Sequence, residues 1–267
     1  MFPLHTATLP SSAADLERAL NESLQRIFVT LPSPVAIRDH AYPHLSEVNI
    51  SLDGARLDPE SPRPQATSGP VSPALEIDRF TVHGSPLSVG PLALDLSISA
   101  TGVQLGQSKD SNEQIVLFLK DATEGTITIS VRNNDLEALV TELARSQASK
   151  HGITIEGVEL TLHQENERSL AAEVRLRARK LFLAASVKVT GRITLDEELK
   201  LKILDLNCSG EGGIGNVACG ILQPYLQKAD GREFPLMSLP LGEIQLRDVR
   251  LVVSDKLSVT AEFGGAT

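Results

Sequence analysis

Apolar residues recur with the period of an α-helix in three stretches of the chain. These stretches are 12–28, 135–149 and 214–227, and each carries apolar side chains three and four residues apart. The third stretch is studded with glycine and contains Pro224, so we expect a shorter helix there. The stripe of the first helix consists of Leu16, Leu20, Leu24, Ile27 and Phe28. The pattern therefore predicts two long amphipathic helices and one shorter helix.

Residues that favour helix ends flank the first two of these stretches. Ser12 with Asp15 resembles a capping box, in which side chains satisfy the first free N–H groups of a helix. Asn134 and Glu137 form a similar N-cap and N3 pair before the second helix. Gly152 lies just beyond that helix, where a left-handed residue is common.

Elsewhere, apolar and polar residues alternate with the period of a β-strand. Apolar side chains at even positions alternate with charged ones along 172–178, and the stretch 183–195 continues in the opposite parity. A turn or bulge near Lys180–Phe182 therefore resets the register. We predict further strands at 45–57, 75–82, 92–99, 115–118, 126–131, 158–162, 199–203, 243–253 and 257–263. Alternation with one wet face is typical of antiparallel sheets, so we expect the α+β class.

The length of 267 residues fits one large domain or two small ones, and we expect a single domain over 1–267. A Pro-rich stretch at 58–73 is predicted to be a loop inside that domain. No apolar run reaches 18 residues and no secretory signal is visible. We therefore expect a cytoplasmic protein or a peripheral membrane protein, or an exported one if the N-terminus has been trimmed.

Composition excludes several classes of function. The net charge of −9, the aromatic content of 3% and the lack of tryptophan argue against a nucleic-acid partner.

The segment Gly210–Gly215 matches the nucleotide-binding pattern G-x-G-x-x-G, but the strand before it alternates with lysines, so a flexible hinge is the better interpretation. His40 and His44 bracket Tyr42-Pro43, which prevents a regular helical metal site. We find no catalytic motif, and we expect a protein that is not an enzyme and needs no metal or cofactor.

The two cysteines, Cys208 and Cys219, are eleven positions apart. Without an export signal, two reduced and largely buried thiols are the favoured interpretation, and a disulfide is the alternative.

The segment 175–202 is basic, although the whole chain is acidic. It holds eight basic residues against the three acidic residues of Asp196–Glu198, which gives it a local net charge of +5. If the strands pair as neighbours, most of these bases share one sheet face and could contact an anionic membrane. An ordinary solvated face is the alternative. The candidate headgroup contacts are Arg175, Arg177, Arg179, Lys188, Arg192, Lys200 and Lys202.

Three stretches in the second half of the chain form an ordered pattern: the strand-to-helix entry Ile127–Leu136, the helix exit Gly152–Leu160 and the ending Leu239–Leu251. Over about residues 125–264, this pattern resembles the bacterial LmeA-like phospholipid-binding family. The fold of that family is similar to tubular lipid-binding (TULIP) domains. The resemblance implies a long curved antiparallel sheet wrapped around a long amphipathic helix, with an aliphatic groove between them.

The resemblance further implies that the protein holds or transfers phospholipid and touches membranes peripherally. The candidate groove residues are Leu136, Leu139, Val140, Leu143, Val174, Leu176, Val187, Val189, Ile193, Leu201 and Ile203. A gate at the groove mouth would consist of Ile214, Val217, Ile221 and Tyr225. The rival hypothesis is a structural or protein-interaction module with a solidly packed interior. The oligomeric state stays open.

Overall fold

The computed structural model describes residues 2–29, 32–60, 70–150, 152–180, 183–236 and 246–265. The first elements are β1 (Phe2–Pro3), α1 (Ala13–Ile27), β2 (Phe28–Val29), β3 (Val35–Ala41), β4 (His44–Ser51), β5 (Arg56–Leu57), β6 (Ser72–Val89), β7 (Leu92–Lys109), β8 (Ile115–Asp121) and β9 (Glu124–Arg132). They are followed by α2 (Asn133–Ser149), β10 (Thr154–Asn166), β11 (Ser169–Lys180), β12 (Leu183–Leu195), β13 (Lys200–Glu211), α3 (Gly212–Ala229), β14 (Glu233–Pro235), β15 (Leu246–Val253) and β16 (Lys256–Phe263). The predicted α+β class is confirmed.

The chain divides into two compact units. Unit 1 comprises residues 1–130, 239–248 and 260–267, and unit 2 comprises residues 131–238 and 249–259. Two compact units can belong to one functional domain, so a single domain over 1–267 stays a prediction.

The larger sheet contains eleven strands, and its main path runs β15-β16-β9-β7-β6-β4-β3. Its centre is the antiparallel hairpin of β6 and β7, two strands of 18 residues each. Most pairings are antiparallel as predicted, but β4 and β5 pair with β6 in parallel. The predicted strand at 45–57 is in fact two strands, β4 and β5, and β3 was not predicted.

Unit 1 has a buried core between α1 and the larger sheet. The stripe predicted for α1 supplies Leu16, Leu20 and Leu24, which are at most 7% exposed. The Ser12 hydroxyl accepts the Asp15 N–H at 3.2 Å and donates to its carboxylate at 2.7 Å, which confirms the predicted cap. The sheet contributes Leu45, Val48, Leu75, Ile77, Val103, Val116, Leu117 and Phe263.

Unit 2 contains the antiparallel sheet β10-β11-β12-β13-β14. Helix α2 packs against β10, and α3 packs against β12 and β13. The pairing of Lys180 with Leu183 agrees with the predicted change of register, although residues 181 and 182 lie outside the described part of the chain. Helix α3 has 18 residues, so the prediction of a shorter helix there is wrong.

The predicted N-cap of α2 is also wrong. The helix begins after Arg132, which makes no side-chain cap hydrogen bond. The Glu137 carboxylate, predicted to serve the cap, instead accepts the backbone N–H of Leu160 on β10 at 2.9 Å. That bond joins α2 to the strand on which it packs. Gly152 follows the helix with a φ of 66°, as its predicted terminal position requires.

Several predicted features lie on residues that are not described. They are residues 61–69 of the Pro-rich stretch, residues 239–245 of the family-like ending and the side chain of Ile214.

Candidate functional site

Unit 1 contains an apolar cavity of about 340 Å³. Ligand sites in proteins commonly measure roughly 300–1,000 Å³ and have mainly apolar walls. Every residue that lines this cavity is apolar. They are Phe2, Leu16, Leu20, Val48, Ile50, Leu75, Ile77, Phe80, Ile98, Ala100, Val103, Leu105, Leu117, Phe118, Leu119, Ile127 and Phe263. Such a cavity can hold a hydrocarbon ligand but offers no side-chain group for acid–base chemistry.

Strand register brings the cavity walls together. Phe80 pairs with Ala100, and Ile77 pairs with Val103, on the β6–β7 hairpin. All four side chains line the cavity. At the β9 side of the cavity, a Cβ atom on Gly125 would lie 2.2 Å from the Phe263 ring. Glycine is therefore needed there for Phe263 to take its place in the wall.

None of the predicted groove residues lines this cavity. Those on strands share the apolar face of the five-stranded sheet in unit 2, where Val174 pairs with Val189 and Leu176 pairs with Val187. Ile193 and Ile203 also pair, and Leu201, two positions before Ile203 on β13, pairs with Leu195. Val187 is buried, and the other predicted strand residues, Val174, Leu176, Val189, Ile193, Leu201 and Ile203, are half-buried.

The predicted groove residues on α2 are less covered still. Leu136, Leu139 and Val140 are half-buried, and Leu143 is 56% exposed. No side chain of α2 is buried. Unit 2 therefore presents an aliphatic surface that its own described elements cover only in part.

The predicted basic residues share the opposite, polar face, but none of them is a bare cation. Arg175 and Lys188 both contact Glu173, at 2.7 Å and 2.6 Å, and Arg177 contacts Glu159 at 2.8 Å. The remaining pairs are Arg179 with Glu156, Arg192 with Glu165 and Asp205, Lys200 with Glu198, and Lys202 with Asp196 and Glu233. Seven bases thus meet eight carboxylates, and the positive charge of the segment 175–202 is compensated from outside it.

These ion pairs shift ionisation equilibria on the polar face. The pKa of Glu173 falls below 4.5, first because of its hydrogen bond from Lys188 and then because of Arg175. The hydrogen bond from Ser169 and the contact with Arg192 lower the pKa of Glu165 in the same way. Hydrogen bonds to Glu233 and Asp196 raise the pKa of Lys202 above 10.5. Each group is thereby held in its charged form.

The predicted gate residues lie on α3, and those whose side chains are described point outward. Val217 is 65% exposed, Ile221 53% and Tyr225 67%. The opposite side of the helix faces β13, because Cys219 forms a disulfide with Cys208 across a Cα–Cα distance of 5.5 Å. The interpretation of two reduced thiols is therefore wrong.

Close contact between two glycines makes this disulfide geometrically possible. A Cβ atom on Gly210 would lie 2.0 Å from the backbone of Gly215, so only glycine lets the start of α3 lie against β13. The G-x-G-x-x-G segment thus serves the packing of this helix on its sheet.

A second cavity in unit 1, of about 560 Å³, has polar walls. Arg79 and Arg247 line it together with Glu124 and Glu262, so its walls combine both signs of charge. Thr81, Ser99, Ala100, Thr101, Gly125 and Thr126 complete the lining. This balance favours no single class of charged ligand.

Neither a metal site nor a bilayer-spanning helix is found among the described residues. They contain no group of three or more His, Cys, Asp or Glu side chains that could hold a metal ion. His40 and His44 are neighbours, with ring centroids 5.3 Å apart, and His44 contacts Asp78 at 2.7 Å. None of the described helices is both long enough and apolar enough to cross a bilayer.

Comparison with known proteins adds no relative: no family model, no curated protein and no solved structure matches the chain. The LmeA-like and TULIP-like resemblance therefore stays a prediction from the sequence.

Proposed function

We propose that this protein is a non-enzymatic lipid-binding protein that holds the acyl chain of a phospholipid, for storage or transfer. The observation that carries the proposal is the wholly apolar cavity between α1 and the larger sheet. Each methylene buried in such a site contributes roughly 0.8 kcal/mol, so an acyl chain needs no polar anchor to bind. The resemblance to the LmeA-like family supports the same function.

The half-covered aliphatic face of unit 2 is a second, separate candidate surface for lipid. In a TULIP-like arrangement a curved sheet encloses a helix and acyl chains lie between them. The paired rows of Val174 with Val189 and Leu176 with Val187, together with the exposed Leu143, would supply such a surface. Lipid held there would cover apolar area that the described elements of unit 2 leave open.

Contact with anionic membranes is a weaker part of the proposal. Each base near an anionic bilayer contributes about 1 kcal/mol when its charge is free to act. Here each candidate base already has a carboxylate partner, as Arg177 has Glu159. Membrane contact through this face would therefore be modest and sensitive to salt.

The disulfide supports the exported alternative for the protein's location. Disulfides form and persist mainly in oxidising compartments and are rare in the cytosol. An exported lipid-binding protein would be consistent with the bond between Cys208 and Cys219.

Native mass spectrometry of the purified protein, before and after addition of palmitic acid, tests the proposal. We expect an adduct of lipid mass that survives gentle activation. Replacing Ala100, which lines the cavity and is 4% exposed, with phenylalanine fills part of the space. Exclusion of two methylenes at roughly 0.8 kcal/mol each would weaken palmitate binding by about tenfold.

Ser97→Phe is the matched control, because it adds the same ring to an exposed position on the same strand. It should leave palmitate binding unchanged. If the wild type carries no lipid and takes up none, the proposal fails and the packed interaction module becomes the better hypothesis. If Ala100→Phe folds and binds palmitate as the wild type does, the cavity is not the site.

A further inference from the structure

Helix α3 presents an apolar stripe of three side chains: Val217, Ile221 and Tyr225, here called the α3 stripe. They are spaced four residues apart, so they lie on one side of the helix. Tyr225 at 67% and Val217 at 65% are the most exposed large apolar residues in the described part of the chain. Leaving such a patch in water is unusual for a surface without a partner.

The α3 stripe cannot turn inward to bury itself. Cys219 lies two positions from both Val217 and Ile221, which places it on the opposite side of the helix, and its disulfide to Cys208 ties that side to β13. One turn earlier in α3, the close contact of Gly215 with Gly210 holds the same side of the helix against β13. The outward orientation of the stripe is therefore built into the covalent structure.

The surroundings of the α3 stripe favour a lipid bilayer as its occupant. The 18 residues of α3 contain one charged residue, Lys228, and it lies in the last turn. Entry into a bilayer therefore requires almost no desolvation of charge. Tyr225 and Lys228 at one end are suited to the headgroup region, since an aromatic ring with a hydroxyl and a long basic side chain both favour that depth.

The size of the stripe also favours a bilayer over a second protein. A stable protein interface uses roughly 20–30 residues on each side, whereas the stripe has three apolar side chains on one helix. Pro224 lacks an N–H, so the carbonyl of Gly220 has no donor at its usual helical position. That carbonyl must stay near water, which limits insertion to the depth of the interface.

We propose that the α3 stripe inserts into the interfacial layer of a lipid bilayer and is the membrane-docking surface of this protein. The inference rests on the lipid-binding function proposed above, because docking would bring the apolar sites to a source of acyl chains. It differs from contact through the basic face, because it depends on apolar insertion and hence little on the charge of the bilayer.

Tryptophan fluorescence tests the proposal directly, because the chain has no tryptophan of its own. Tyr225→Trp places a single reporter on the stripe. With phosphatidylcholine vesicles we expect a blue shift of its emission, and quenching when the lipids carry bromine on their acyl chains. Ser146→Trp, at an exposed position of α2, is the control and should show neither effect.

Charge substitution tests whether the stripe carries the binding. The double variant Val217→Asp, Ile221→Asp alters two exposed side chains, so the fold should persist. We expect its sedimentation with phosphatidylcholine vesicles to weaken by at least about tenfold. Ala138→Asp with Ser146→Asp adds the same charge to exposed positions of α2 and should bind as the wild type does.

Three results would overturn the docking proposal. One is equal vesicle binding by the double variant and the wild type. Another is binding that occurs only when phosphatidylglycerol is present and disappears in high salt, which would assign docking to the basic face. The third is a stripe-dependent dimer in solution, which would make a second copy the occupant.

Native mass spectrometry separates this proposal from the lipid-binding function. Stripe variants should still take up palmitate from solution. Palmitate uptake without vesicle binding would contradict the docking proposal but not the lipid-binding proposal. If the protein takes up no palmitate but binds vesicles through the stripe, the lipid-binding proposal is contradicted and the docking proposal is supported.

Discussion

Helices α1 and α2 are similar in length, with 15 and 17 residues, but their surroundings differ. Helix α1 buries five side chains, including Leu16, Leu20 and Leu24, against the larger sheet of unit 1. Helix α2 buries none, although its sequence has an apolar stripe of the same kind. An amphipathic pattern therefore shows which face of a helix is apolar, but not how completely that face is covered.

The two sheets repeat this contrast. In unit 1 the residues opposite α1 form an apolar wall along a cavity, and Val103 and Phe263 are at most 2% exposed. In unit 2 the corresponding rows on β11 to β13 are mostly half-buried. Unit 1 therefore resembles a conventional protein core with spare volume, and unit 2 resembles a core from which one layer is missing. In our proposal, bound lipid takes the place of this missing layer.

The largest effect should come from shortening one buried leucine in unit 1. Leu24→Ala on α1, where the side chain is 4% exposed, should lower the free energy of unfolding by about 2–5 kcal/mol. Leu143→Ala on α2, where it is 56% exposed, should change it by less than about 0.5 kcal/mol.

The two tyrosines allow each unit to be followed separately in urea. Tyr42 lies in unit 1 and Tyr225 in unit 2, and there is no tryptophan to mask them. Tyr225→Phe leaves a reporter of unit 1 for Leu24→Ala, and Tyr42→Phe leaves a reporter of unit 2 for Leu143→Ala. Equal losses from the two alanine variants would contradict the contrast between the buried face of α1 and the uncovered face of α2.

The next largest effect should come from the disulfide, which joins α3 to β13 in unit 2. A bond between residues eleven positions apart restricts the unfolded chain, and its removal in Cys208→Ser with Cys219→Ala should cost about 2–3 kcal/mol. Tyr225 fluorescence in urea should report this loss, and the transition of Tyr42 should move less.

Reduction of the wild type with dithiothreitol is the control for the cysteine variant. It should shift the Tyr225 transition to the same extent, and the variant should no longer respond to the reductant. Two thiols that react with Ellman's reagent in the unreduced, denatured wild type would show that the bond is absent.

Local sequence patterns were sufficient to predict the elements that have one buried and one solvent-exposed face. The spacing of Leu16, Leu20 and Leu24 identified α1, and the change of parity around 180–182 identified the hairpin of β11 and β12. These features depend on residues close together in the chain. The parallel pairing of β4 with β6 has no comparable local signal, because residues 52–71 separate the two strands and either direction satisfies the same alternation.

Charge counted along the chain was an incomplete guide to the charge of the predicted basic surface. The count over 175–202 left out Glu156, Glu159 and Glu165, which precede it on β10, and Asp205 and Glu233, which follow it. Antiparallel pairing brings these carboxylates across from the bases. The charge of a sheet face therefore has to be counted across strands, which requires the register.

The cavity was not predicted, and the disulfide was only the alternative interpretation, for a related reason. The cavity takes residues from α1 and from β1, β4, β6, β7, β8, β9 and β16, and each of them looks like ordinary core when taken alone. The disulfide depends on the approach of Gly215 to Gly210, which the sequence presents as a false nucleotide-binding motif. Both features are properties of packing between elements distant in sequence.

A smaller effect should come from releasing the charge on the polar face of unit 2. Glu173→Gln removes the carboxylate that contacts both Arg175 and Lys188, so two cations become available to lipid headgroups. Binding to phosphatidylglycerol vesicles at low salt should increase, with little change in stability because the pairs are solvent-exposed. Glu142→Gln on α2 changes the same charge at an exposed site and is the control. Equal vesicle binding by both variants would remove the basic face from the membrane proposal.

The smallest expected effect is a pH dependence of stability that differs between the two units. On β4 of unit 1, the hydrogen bond to Asp78 raises the pKa of His44 above 6.5, with further contributions from the charges of Asp78 and Glu76. A raised pKa stabilises the fold fully below pH 6.5, and that contribution is lost as the pH rises through the higher value in the folded state. In unit 2 the lowered pKa of Glu173 stabilises the fold above pH 4.5, and that contribution is lost only as the pH falls through the lower value.

Asp53 in unit 1 also has a lowered pKa, first because it accepts the Ser85 backbone N–H, so acid weakens both units. The two units are therefore expected to differ in the pH dependence of their stability only above pH 6.5. Hydrogen exchange measured by mass spectrometry from pH 6 to 8, corrected for intrinsic rates, should show β3 and β4 losing protection slightly, while β11 and β12 do not change. Asp78→Asn should abolish the loss and lower the pKa of His44 in an NMR titration. An unchanged titration midpoint in that variant would show that Asp78 does not hold the proton on His44.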